Sequence, residues 1–356
     1  MKKLSVLNMF VVVFVALFFC LSVVPAVHAQ QKITLSMASH FGGTAFIHTD
    51  QYPRYFKMVE KAAKGKYVLD IKLFPGESLL KGADNYDGVV KRVADSAIQS
   101  AGYIPGRLPV FLTLSQSGIA PIKNCIAASL TAWEFVNKYK PKEFDDVKLL
   151  LTYGTGPGWV HSNKPIRKAD DLKGMRLRVT GAGALGAKAV GAQPVAMAMP
   201  DVYLAAKKGT IDGLVSPPET LKNHKHAEVF KYSTFFPIFY SEFMVFIMNK
   251  SVWDSLPKDL QEAFDAVSAA GVEEAGQFWE REQKLAMEYA KKQPGGHEFL
   301  YLPDEEMAKL KKLIEPVKEQ YITLLNSKGF PGKQIVEDAG KIAEKYNKQE
   351  YKPWKP

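Results

Sequence analysis

The sequence predicts an α/β fold with a largely parallel sheet, and three observations carry that expectation. Short apolar or alternating segments recur between segments of helical spacing, the pattern of strands joined by crossover helices. One stretch, residues 171–218, condenses this pattern into a single βαβα unit. The chain has 356 residues, enough for two domains, and its apolar fraction of 47% suits a buried core.

The 171–218 stretch organises the rest. Residues 175–179 alternate, sending Met175, Leu177 and Val179 to one face and Arg176 and Arg178 to the other. A glycine-rich turn and a small-residue helix follow, then an apolar strand over 194–199. A second helix is opened by Pro200 and stopped by Gly209. Ligands of open α/β sheets sit beyond the carboxyl ends of the strands. Arg178 lies near such an end, just before a helix N-terminus whose free N–H groups favour anions. A guanidinium grips a carboxylate or sulfonate through two parallel hydrogen bonds. The spacing alone leaves Arg178 evenly divided between an anion clamp and a surface arginine, and assigns Arg176 to structure.

Taken from the start, Lys2 and Lys3 precede an apolar run over about 9–24, then Pro25 and the small-residue site Val27-His28-Ala29. This reads as a secretory signal peptide cut near Ala29, not a retained anchor, with lipidation at Cys20 disfavoured by Phe19. Residues 32–39 and 67–74 read as strands, with a helix over 52–64 between them. A helix over about 82–93 leads to a short strand at 96–100. Residues 129–139 read as helix and 148–152 as strand, running into the glycine-rich passage 153–159. That passage and the long apolar run 239–248 are candidate crossings between domains. Residues 251 to about 292 are helical, long enough to touch both domains, and 304–347 are charged amphipathic helices.

Charge and cysteine content exclude several classes. Lys+Arg outnumber Asp+Glu by 47 to 37, but the basic residues are interspersed with acidic ones and form no nucleic-acid footprint. After removal of the leader only Cys125 remains, which rules out an intramolecular disulfide and a cysteine metal cluster. The histidines do not cluster as metal ligands: His224 and His226 fall on a predicted helix and read as solvent-exposed. His40 is the better site residue, at a strand end beside Gly42-Gly43. No metal or cofactor is expected. Paired carboxylates such as Asp145-Asp146 read as solvated charges, and no nucleophile elbow or zinc motif appears, so no enzyme chemistry is expected. One motif argues otherwise. Gly181-Ala182-Gly183-Ala184-Leu185-Gly186 with Asp201 has the layout of a dinucleotide fingerprint, the mark of a periplasmic NAD(P)-dependent oxidoreductase. Against it stand a short helix broken by Gly191, arginines in the preceding strand, and export away from nicotinamide pools.

Several motifs then occur in order. Asp171-Leu172-Lys173-Gly174-Met175-Arg176-Leu177-Arg178-Val179 is similar to the DLKGxKxRv signature of TRAP transporter solute-binding proteins of the DctP type. Val190-Gly191-Ala192-Gln193-Pro194-Val195, Asp201-Val202-Tyr203 and Gly209-Thr210-Ile211-Asp212-Gly213 resemble the motifs that follow it there. Phe74-Pro75-Gly76-Glu77-Ser78-Leu79 upstream and Trp253 with Leu256-Pro257 downstream extend the resemblance over essentially the whole mature chain.

The resemblance implies a periplasmic-binding-protein-like fold: two α/β lobes joined by hinge crossings and a long bridging helix, closing over a ligand. The lobes would comprise 30–153 with about 245–282, and 154–244 with about 283–356, after a leader over 1–29. It also implies a periplasmic protein that hands a small organic anion to a small and a large membrane subunit driven by an ion gradient. Arg178 matches the family's ligand-carboxylate arginine, and Met199, Ser216, Ser100, Tyr103, His40 and Phe41 fall at ligand-facing positions. Gly158 stands where sialate-binding members have an arginine, and Trp159 beside it is expected as a wall of the site together with Tyr103. A small mono- or dicarboxylate, a hydroxy or oxo acid, an aromatic acid or a sulfonate is therefore expected instead of a sialate. A sensor subunit delivering the same ligand to a receptor is the alternative within this class.

Overall fold

A computed structural model describes residues 30–351; the expected leader over 1–29 lies outside the described residues. Two sheets form the frame. The first has strand order β2-β1-β3-β10-β4, built from β1 (Gln31–Ala38), β2 (Tyr67–Phe74), β3 (Ser96–Ser100), β4 (Val147–Gly154) and β10 (Phe243–Asn249). The second has order β11-β9-β5-β8-β6-β7. Its members are β5 (Trp159–Ser162), β6 (Arg176–Val179), β7 (Gln193–Ala196), β8 (Gly213–Ser216), β9 (Tyr232–Phe235) and β11 (Glu298–Leu300).

In each sheet a parallel set follows from crossover helices, as the alternation predicts: β1 pairs parallel with β2 and β3, and β6 with β7 and β8. The antiparallel exceptions are the crossings. Strand β10 returns from the second sheet and runs antiparallel between β3 and β4, and β5 runs antiparallel to β8 and β9. The run 239–248 is thus not one strand: residues 236–242 cross between sheets, and β10 starts at Phe243. The two crossings are bonded to each other, Thr155 N–H to Glu242 O at 2.9 Å and Gly158 N–H to Tyr240 O at 2.9 Å.

Helices cover both faces of each sheet. Around the first lie α1 (Tyr52–Ala62), α2 (Asn85–Val90) and α3 (Cys125–Tyr139), the last capped by the Asn124 side chain accepting from Ala127 N–H. The second carries α4 (Ala184–Ala189), α5 (Met199–Lys207) and the short α6 (Thr220–Asn223). Leu256-Pro257 splits the expected long helix into α7 (Lys250–Ser255) and α8 (Lys258–Lys291), because proline has no N–H to continue the ladder. Helix α8 is 34 residues long and packs against α1, α3 and β4 of the first lobe and α6 of the second. It therefore bridges the lobes. Among the described residues no helix is long and apolar enough to cross a membrane.

The C-terminal region divides differently from the sequence-based grouping. Helix α9 (Asp304–Ser327) packs on α4 of the second lobe. Helix α10 (Gly332–Asn347) packs instead on α3, burying Ile335, Val336, Ala339 and Ile342 in the first lobe's core. An amphipathic pattern specifies which face of a helix is buried and not which lobe buries it.

Helices α3 and α8 approach closely at Gly276, where an added Cβ would stand 2.6 Å from Ile126 Cα and 2.9 Å from Cys125 O. Backbone cannot yield there as a flexible side chain would. Gly276→Ala is expected to destabilise the protein by about 1–3 kcal/mol, as overpacked cores are, measured by urea unfolding. An unchanged midpoint would show that the helices part without cost.

Candidate functional site

The carboxyl ends of the parallel strands β6 and β8 face the first lobe across a narrow cavity. Its free volume is only about 30 Å³. The lobes are therefore closed on each other.

Arg178 is the centre of this cavity. It is fully buried, and its guanidinium is held by the ends of neighbouring strands. Nε and Nη2 donate to Met197 O at 3.0 and 2.8 Å, and Nη1 reaches Val215 O at 3.5 Å. No carboxylate lies within 4 Å of it among the described residues. Arg176, on the opposite side of the alternation from Leu177, is instead spent on a two-pronged pair with Asp212 (2.6 and 3.1 Å) at the surface. Of two arginines in one strand, only the inner one is a buried cation awaiting an anion.

The structure brings six of the eight sequence-predicted site residues to this cavity: His40, Phe41, Ser100, Tyr103, Arg178 and Met199. The first four come from the first lobe. Tyr103 reaches across to accept the Met199 N–H at 2.9 Å, and His40 packs edge-on against the Tyr103 ring. Phe41 is braced from behind by Trp279 of α8, centroids 6.1 Å apart. The other two residues stand elsewhere. Trp159 is 5% exposed but lies two strands away from Arg178, about 10 Å by normal strand spacing. Its ring packs on Phe235, Phe299 and Tyr301 at the β9–β11 side. Ser216 turns its hydroxyl to Thr220 Oγ1 at 2.7 Å and does not line the cavity.

Sequence reasoning passed over Thr155, Thr180, Glu219, Tyr240 and Glu242 and read His224 as solvent-exposed, yet all six line the cavity. Glu242 is the joint between the lobes. It accepts from Ser100 Oγ and from Gly102 N–H (2.9 Å) on the first lobe and from Thr180 Oγ1 (3.0 Å) on the second. Burial raises its pKa, while those donors and the nearby Arg178 charge pull it back. The signal for it was an acid embedded among aromatics, Phe239-Tyr240-Ser241-Glu242-Phe243.

The glycine motif has a different use from phosphate binding. A Cβ on Gly181 would meet Pro105 Cγ at 2.7 Å and Gly102 O at 3.0 Å, and one on Gly186 would meet Ser117 Oγ at 2.0 Å. These glycines let the second lobe's turn press against the first lobe. His224 and His226 are likewise not exposed. Helix α6 ends at Asn223, and Lys225 at φ 57° turns the chain, so the two rings stack at 5.6 Å with His226 fully buried. No group of three or more histidine, cysteine or acidic residues able to hold a metal occurs among the described residues.

Two lobes closing over a buried arginine define a solute-binding protein of the two-lobed extracytoplasmic class. Residues 39–324 match the bacterial extracellular solute-binding protein family 7, DctP, and the chain belongs to that family, one of transport proteins and not of enzymes. It is 32% identical over 161 residues to the C4-dicarboxylate-binding periplasmic protein DctP of Rhodobacter capsulatus, a match covering 45% of this chain. That match spans 48%, about half, of the curated relative's length. Solved TRAP solute-binding proteins match almost end to end. One from Rhodoferax ferrireducens with copurified benzoate has a TM-score of 0.82 at 25% identity, covering 89% of this chain and 99% of that one. A marine metagenome protein specific for aromatic acids, crystallised with 3-hydroxybenzoate, has a TM-score of 0.83 at 26% identity, covering 90% and 100%.

Burial lowers His40 and His161 to about 3 and His224 to about 4, so the folded protein keeps these rings neutral. In the unfolded chain they titrate near 6.5. Between those values the unfolded state binds protons that the folded state does not, so stability falls as pH falls. Each ring contributes a slope of up to about 1.4 kcal/mol per pH unit. Denaturant midpoints are expected to drop from pH 7 to pH 5, and less steeply in His161→Asn; equal slopes in the two proteins would refute neutral burial of His161.

Proposed function

We propose that this protein captures a small organic acid anion between its lobes and delivers it to a TRAP membrane permease of one small and one large subunit. The observation that carries the ligand class is the buried Arg178 guanidinium, oriented by two carbonyls and lacking a carboxylate partner among the described residues. A buried cation is costly unless compensated, and an incoming carboxylate supplies the compensation. The aromatic walls from His40, Phe41, Tyr103 and Tyr240 suit a compact, flat acid. Benzoate and 3-hydroxybenzoate in the similar structures support that size and charge. Binding closes the hinge formed by the two crossings, and the closed form is the one the permease selects. The family is extracytoplasmic, and the basic-apolar leader with its site near Ala29 supports periplasmic delivery.

Thermal unfolding of the purified protein against a panel of carboxylates and sulfonates tests this reading. A free anion at 100 times its dissociation constant adds about 2.7 kcal/mol of stability, a readily visible rise in midpoint. Arg178→Ala is expected to lose about 2–5 kcal/mol of that ligand's affinity. Undiminished affinity in the variant would sink the clamp.

A further inference from the structure

An anion on Arg178 accounts for one part of the cavity and leaves Glu219 unexplained. Glu219 follows Pro217-Pro218 and immediately precedes α6. It lines the cavity, is 3% exposed, and its Oε2 is buried with no hydrogen-bond partner among the described residues. Buried polar atoms are nearly always paired, so an orphan on a cavity-lining side chain points to a partner on the ligand. The question is what kind of partner.

The surrounding charges narrow the answer. The nearby cations are already committed: Lys222 and Arg281 both pair with Glu282, at 3.4 and 3.0 Å, and Arg281 also holds Asp50 at 2.7 Å. Glu282, on α8, opposes ionisation of Glu219, and Arg178 acts on Glu242 instead. Glu219 also acts electrostatically on Tyr240 of the second crossing and Cys125 of α3, both of which burial keeps protonated. Burial first, then Glu282, holds the Glu219 carboxyl well above the usual range, with the Thr220 N–H only partly offsetting this. A protonated carboxyl both donates and accepts a hydrogen bond, which is the complement of an alcohol or phenol.

We propose that Glu219 is a second recognition point of the cavity, hydrogen-bonding a hydroxyl of the bound acid while Arg178 holds its carboxylate. The preferred ligands are then hydroxylated acids. This rests on the anion reading, and the test separates the two. Matched series are titrated by calorimetry into the purified protein: benzoate with 3- and 4-hydroxybenzoate, phenylacetate with mandelate and phenylglycine, propionate with lactate and alanine. In at least one series the hydroxy acid is expected to bind tenfold or more tighter than its plain partner, since a site built for a hydroxyl discriminates against its absence. Glu219→Leu should abolish that preference while the plain acid's affinity changes only a few-fold. Glu219→Gln, which keeps a donor and an acceptor, should retain most of it. Arg178→Ala should weaken both members alike. A hydroxyl preference that survives in Glu219→Leu, or tighter binding of the amino than of the hydroxy member, overturns the proposal and leaves the anion reading standing. Undiminished binding in Arg178→Ala, or no binding by any acid, overturns both.

Discussion

A guanidinium buried with no carboxylate paired to it among the described residues is the constraint to which the rest of this molecule answers. Arg178 can be held there because strand ends, not side chains, orient it: Met197 follows β7 and Val215 lies in β8, the two strands flanking β6. Backbone carbonyls satisfy part of the fork without neutralising the charge. The parallel order of β7, β6 and β8 is what brings those carbonyls to one edge. The first lobe then contributes rings and hydroxyls, and no carboxylate lies within 4 Å of the guanidinium among the described residues, so the positive charge stays available.

Closure brings the two lobes into backbone-scale contact. Glycines at 102, 181 and 186 allow an approach that any side chain would block, and Glu242 ties Ser100 and Gly102 to Thr180 across the seam. Because Glu242 sits in a crossing segment bonded to Thr155 of the other crossing, the hinge and the seam share a residue. Opening the lobes must break the Thr180 and Tyr103–Met199 bonds while the Thr155–Glu242 backbone bond within the hinge can persist.

Much of this was legible in the sequence, for physical reasons that also explain what was not. Strand–helix alternation announces itself through periodicity, and Arg178 through its place at a strand's carboxyl end. Arg176 was assigned to structure and pairs with Asp212. Trp159 was placed by its nearness to Gly158, but a strand carries each residue to a fixed lateral position, and that position is beside Phe235 and Tyr301. Glu219 and Glu242 went unread, and His224 was read as exposed, because polar residues near prolines, aromatics and lysines look like surface positions until the tertiary fold covers them. The glycine motif was ambiguous for a similar reason: close approach to a phosphate and close approach to another lobe demand the same missing Cβ.

Strand β10 has one more implication. It occupies the middle of the first sheet, between β3 and β4, yet it follows the second lobe's strands β5 to β9 in the chain. Until residues 243–249 arrive, β3 and β4 have no common neighbour, and the first sheet is two fragments with exposed inner edges. The first lobe thus cannot finish folding before the second has been synthesised, and the loop closures involved are long and slow. A chain built this way completes its first sheet only after the greater part of its length has been made.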